Sequence, residues 1–166
     1  MEKLRADDYV SITKKYLKEY YLYIQYLNNT KAALADINRQ LNTESIKTSR
    51  FGERPGYTRG KASSVELAAN KRIELENRRE VLHNEMLSAE RIVSCISGSL
   101  PKLDAEKQTL IKGFYFDHLS YKELARQHSY CEKWCRNLIR QAEREMAVMI
   151  FGVRASSNID FSDMVV

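Results

Sequence analysis

Glu132, Lys133, Arg136, Asn137 and Arg140 are the residues of this sequence whose types and spacing best suit chemistry, and that chemistry is the reading of nucleic-acid bases. Steps of three and four residues bring them to one face of a helix. Arginine and lysine donate to guanine in the major groove, and asparagine pairs bidentately with adenine. Cys135, Leu138, Ile139 and Ala142 recur with the same spacing on the opposite side and make it apolar. Lys122, Arg126 and Arg144 flank the stretch and suit phosphate contacts, which set affinity and register more than sequence preference. Trp134, beside Lys133, carries two expectations: packing against the preceding helix or Phe116, or contact with a thymine methyl or a protein partner.

Such a face must be held by its neighbours. Asp104 or a residue near it is placed to cap a helix through Leu110, Ile111 and Phe114. Ser120 followed three residues later by Glu123 forms a capping-box pattern for a short second helix ending near Gln127. Within that helix Ala125 supplies a small side chain where two helices cross steeply, and Ser129 with Tyr130 provides the turn. A third helix then starts near Cys131. Two short helices joined by a tight turn, the second basic on its outer side, are the layout of a helix-turn-helix that lays its second helix in the major groove.

Residues 119–142 read LSYKELARQHSYCEKWCRNLIRQA. Together with their surroundings, residues 100–146, they resemble the helix-turn-helix of bacterial sigma factor region 4, with its pattern such as LSYEEIAERLGISEGTVKSRLRRA. Ser129 stands where that pattern has glycine, His128 where it has an aliphatic residue, and Cys131 where Ser or Thr caps. The whole layout resembles phage regulators of late transcription of the RinA and ArpU kind. That resemblance implies a phage- or prophage-encoded, sequence-specific regulator of transcription that binds double-stranded DNA and touches RNA polymerase. A second reading from another class is a structural subunit such as a small packaging terminase, in which a helix-turn-helix accompanies oligomerising helices.

The remainder of the chain reads as long helices. The chain has only 6 Gly and 2 Pro, too few for a sandwich or barrel, which points to an all-α fold. Gly52, Pro55, Gly56 and Gly60 interrupt the sequence once, and Gly98 with Pro101 interrupt it again. In the first piece Tyr16, Tyr20, Tyr23, Leu27, Thr30, Leu34, Ile37 and Leu41 alternate by four and three, as in a coiled-coil seam. The heptad spacing assigns these tyrosines to a core rather than to a stacking platform for single strands. The second piece carries Val65, Ala68, Arg72, Leu75, Arg79, Leu82, Met86, Ala89, Val93 and Ile96, a seam weakened by its two arginines. At 1.5 Å per residue each helix is roughly 50 Å long, and its stripe needs a partner. An antiparallel hairpin supplies one within the chain, and pairing between chains supplies another; a homo-oligomer, with a dimer favoured, is expected.

The expected domains are therefore a helical hairpin arm over 1–99, a helix-turn-helix domain over 100–152 and a flexible tail over 153–166. Between the two arm helices, residues 45–62 are expected to form a mobile basic loop carrying Lys47, Arg50, Arg54, Arg59 and Lys61 against Glu53. These cations, with Phe51 and Tyr57 between them, are either a solvated connection or auxiliary contacts to nucleic-acid phosphates or an acidic protein surface.

Other function classes find little support. His118, His128, Cys131 and Cys135 offer zinc-ligand types, but Cys135 is needed inside the helix-turn-helix and there is no CxxC pair, so no metal is expected. A Cys and His pair lacks an oxyanion site, and there is no P-loop, Gly-rich dinucleotide loop or HExxH, so neither catalysis nor a cofactor is expected. The three cysteines read as reduced thiols. A net charge of +5 permits a polyanionic partner. No apolar run is long enough to span a bilayer and the first residues, MEKLRADDYV, are charged, so the expected location is the cytoplasm, away from membranes; the resemblance to phage regulators implies that of a bacterial host cell.

Overall fold

A computed structural model describes residues 5–50 and 64–156. The described residues are all-helical, with no strand among them: α1 (Ala6–Lys18), α2 (Tyr20–Arg50), α3 (Ser64–Ser99), α4 (Ala105–Ile111), α5 (Tyr121–His128) and α6 (Glu132–Phe151). A 3₁₀ turn, Leu100–Lys102, follows α3, a π-helical turn, Lys112–Phe116, follows α4, and a second 3₁₀ turn, Gly152–Ala155, follows α6. None of the described helices is long and apolar enough to cross a membrane.

The chain divides into two compact units, one built from Met1–Tyr23 with Arg91–Val166 and the other from Ile24–Glu90. This division falls elsewhere than the expected boundary at residues 99 and 100. In the first unit Leu17 of α1 and Ile96 of α3 are buried with Leu110, Ile111, Leu124, Cys135, Ile139 and Met146 in a single core. The N-terminal helix α1 is part of this first unit and shares its core with α4, α5 and α6. Tyr16 lies 6.2 Å from Phe151 of α6 and Tyr20 stacks on Phe116 at 5.2 Å. An alternating stripe needs only some apolar surface to cover it, and for these two tyrosines that surface is the C-terminal bundle rather than the coiled-coil seam.

α1 also meets α6 through charge. Glu143 is 3% exposed; its Oε1 accepts a 2.5 Å hydrogen bond from the Tyr115 hydroxyl, and Lys14 Nζ lies 3.1 Å from its Oε2. The Lys14 contact is an ion pair without hydrogen-bond geometry. Two partners from two elements offset the desolvation of this carboxylate. Lys107 makes a second tie, from α4 to Glu145 of α6 at 2.6 Å and to Asp104 at 3.1 Å. Its ammonium is held above the usual lysine range, chiefly by the hydrogen bond to Glu145. Asp104 does occupy the N-cap position of α4, but its carboxylate goes to Lys107 and not to a backbone N–H.

In the second unit Ile37 and Leu41 of α2 cluster with Leu75 of α3, and Leu82 packs against them. Leu27, Thr30 and Ala89 are also buried, whereas Leu34 is half-buried. Arg72 and Arg79, at seam positions of α3, are exposed, and Arg72 pairs with Glu76 along its own helix at 3.0 Å. The Tyr26 hydroxyl donates to Glu85 at 2.7 Å, and Lys31 pairs with Glu90 at 3.3 Å.

Two expectations on connections change. α2 continues through Arg50, so residues 45–50 of the expected loop, including Lys47, are helical backbone; Arg54, Arg59 and Lys61 lie outside the described residues. The expected flexible tail begins with an ordered turn that packs on α1, with Ala155 6% exposed. Residues 157–166 lie outside the described residues.

Candidate nucleic-acid interface

The local sequence of α5 explains its start and its end. Ser120 Oγ accepts from the Glu123 N–H at 3.3 Å while the Glu123 carboxylate accepts from the Ser120 N–H at 2.7 Å. Hydrogen bonding by Ser120 holds the Glu123 carboxyl below the usual range. α5 ends at Ser129, which adopts the left-handed region at φ 55° and ψ 35°, and the Tyr130 N–H returns to the Ala125 carbonyl at 2.9 Å. A serine here does what glycine does in such a turn, at the steric expense of its Cβ. His128 is half-buried and stacks with Tyr130, centroids 6.2 Å apart.

Cys131 is the N-cap of α6, and its carbonyl accepts from the N–H groups of Trp134 and Cys135 at 3.0 and 3.1 Å. Its thiol makes no cap bond, so the start of α6 depends on backbone geometry alone. Cys135, Leu138, Ile139 and Ala142 point inward, with Cys135, Ile139 and Ala142 at 0% exposure. Burial pushes the Cys135 thiol up, away from the thiolate a metal would need.

The structure brings Glu132, Lys133, Arg136, Asn137 and Arg140 together: all five are exposed and line one shallow open depression on α6. Three cations against one acid give this strip a positive balance. Lys122 and Arg126 on α5 and Arg144, one turn beyond Arg140, are exposed as well. Trp134 is 49% exposed. With respect to the two expectations for Trp134, its half-exposed side chain leaves a face open to a ligand, and among the described residues the rings that meet Phe116 are those of Tyr20 and Tyr21.

Three features of the unit lay outside the sequence reading. A Cβ on Gly113 would stand 2.6 Å from Leu124 Cδ2, so this glycine lets the π-helical turn approach α5. Its signal was a lone glycine interrupting an apolar helical pattern. Tyr121, the first residue of α5, lies under the Arg136 guanidinium, whose Cζ is 5.0 Å from the ring centre. Glu143 reads as a surface acid within RQAEREM, and only its fold partners reveal it as buried.

No protein family, no curated protein and no solved structure matches the chain.

Proposed function

We propose that the protein binds duplex DNA through the outward strip of α6 and acts as a sequence-specific regulator of transcription. The observation that carries this reading is the combination, on one helix after a left-handed turn, of a fully buried apolar side with an exposed strip of Glu132, Lys133, Arg136, Asn137 and Arg140. A helix anchored in this way can enter the major groove with its basic strip outward. Lys122, Arg126 and Arg144 supply the flanking phosphate contacts.

The architecture in this reading is an antiparallel hairpin arm, formed by the paired stretches of α2 and α3, followed by a helix-turn-helix module like sigma region 4. The arm serves dimerisation or the docking of a partner. The sequence resemblance to phage late-transcription regulators extends the proposal to a phage or prophage origin and to RNA polymerase as a protein partner.

Footprinting on DNA fragments from around the protein's own gene identifies the preferred site. Arg136→Ala or Arg140→Ala should then weaken binding to that site by about 1–3 kcal/mol and relax its base preference. Equal losses on the preferred site and on a random duplex would reduce both residues to phosphate contacts, and the absence of any protected site would refute sequence-specific binding.

A further inference from the structure

Arg136 is exposed, yet its guanidinium rests over the Tyr121 ring, a contact that favours this one position of the side chain. Tyr121 stacks in turn on Phe114, with ring centres 4.7 Å apart and planes at 21°. Phe114 meets Tyr115 edge-on at 5.0 Å, and Tyr115 is anchored through its hydroxyl on the buried Glu143. The arginine thus stands at the end of a continuous stack that starts in the core. The base of the stack is fixed by the π-helical turn that carries Phe114 and Tyr115, and its top by the capping box that sets Tyr121 as the first residue of α5.

The kind of contact matters. A carboxylate partner would take up the N–H donors of a guanidinium in strong hydrogen bonds, whereas an aromatic ring holds the cation without offering such an acceptor, so donors remain for a base. Among the described residues no carboxylate pairs with Arg136, and neither Lys133 nor Arg140 has a ring or an ion partner. Of the cations on the outward strip, Arg136 is therefore the one held in place before any ligand arrives. Prior ordering concentrates a donor fork into the geometry that O6 and N7 of guanine require, and it lowers the entropy lost on contact.

The geometry points to Tyr121 as the positioning residue that makes Arg136 a guanine reader, with Phe114 as its support. This rests on the proposed DNA binding and adds to it a base preference and a residue on the other helix that sets it. Tyr121 itself need not touch the base; it acts through the arginine it carries.

The test uses the full chain and a pool of duplexes with a randomised centre, selected by binding and sequenced. The wild type should enrich a motif with a fixed guanine that Arg136→Ala no longer requires. Tyr121→Leu, which keeps an apolar contact for Phe114 but has no ring, should weaken the preference for that guanine, with a loss of about 3- to 30-fold on the enriched duplex and little change on a scrambled one. Tyr121→Phe, which keeps the ring, should retain it. A guanine preference lost in Arg136→Ala but intact in Tyr121→Leu overturns the inference and leaves the proposed function standing; binding without enrichment, or no binding, overturns both. A measurement without DNA guards against a variant that fails to fold: in the free wild-type protein the Arg136 Nε–H proton resonance should carry a ring-current shift from Tyr121, and its absence also overturns the inference.

Discussion

The Tyr115 hydroxyl donates to Glu143 Oε1 over 2.5 Å, and this bond ties the π-helical turn to the middle of α6. Its removal strands a carboxylate that is 3% exposed and whose one further partner among the described residues is Lys14. Tyr115→Phe should therefore cost about 1–3 kcal/mol, the penalty of an unsatisfied buried acceptor, as measured by denaturant unfolding near neutral pH. A loss below a few tenths of a kcal/mol would mean that water replaces the phenol at Glu143.

The same pair sets a response to alkali. Burial first, and the hydrogen bond to Glu143 second, push the Tyr115 phenol well above its ordinary value of 10.0. Tyr23 is pushed up to about 12 by burial and by its hydrogen bond to Glu19. A raised folded-state pKa gives stability that is complete below the unfolded value and is lost as pH rises through the folded one. Stability should fall above about pH 10, the ordinary tyrosine range, and Tyr115→Phe should make that fall shallower. Unfolding curves over a series of alkaline buffers measure the slope, and identical slopes for the two proteins would contradict the assignment.

Gly113 should resist even a methyl group. The added Cβ would lie 2.6 Å from Leu124 Cδ2, and Leu124 is 0% exposed, so its side chain has little room to move. Gly113→Ala is expected to destabilise the bundle by about 1–3 kcal/mol through overpacking. Combining it with Leu124→Ala should cost less than the sum of the two single changes, because the second removes the atom that the first meets.

Ser129 offers a stabilising change. Its φ of 55° lies in the left-handed region that glycine adopts without a Cβ penalty. Ser129→Gly should raise stability by roughly 0.5 kcal/mol or more once glycine's larger unfolded-state entropy is subtracted, and Ser129→Val should lower it. Thermal melts of the two variants decide the sign.

The Ser120 and Glu123 capping box predicts an acid effect of opposite direction to the alkaline one. Ser120 holds the Glu123 carboxyl below its ordinary value of 4.5, so its contribution is present above that value and is lost as pH falls through the folded one. Ser120→Ala should cost about 1 kcal/mol at neutral pH. The difference in Tm between the wild type and Glu123→Gln should narrow as the pH drops below 4.5; a difference that stays constant would show that the carboxylate charge plays no part.

The strongest readings from sequence were those in which one segment carries all the information. Ser120 and Glu123 lie three residues apart, and their reciprocal bonds follow from that spacing. The split of α6 into buried Cys135, Leu138, Ile139 and Ala142 against exposed Glu132, Lys133, Arg136, Asn137 and Arg140 follows from helical periodicity in the same way. The all-α class followed from the scarcity of glycine and proline and from long three-and-four spacing.

Tertiary structure decided what covers each apolar side and which charges are buried. Tyr16 and Tyr20 fit a coiled-coil seam and a bundle face equally well, since both need an apolar stripe of the same spacing, and only the presence of Phe116 and Phe151 beside them selects the bundle. Glu143 sits next to Arg144 in a strongly charged stretch, and its burial depends on Tyr115, 28 residues earlier, and on Lys14 in another helix. Gly113 and Leu124, and Tyr121 and Arg136, likewise meet across elements. Periodicity within a helix determines which side of it must leave water; it carries no information about which distant side chain arrives to cover it, because that depends on how the helices cross.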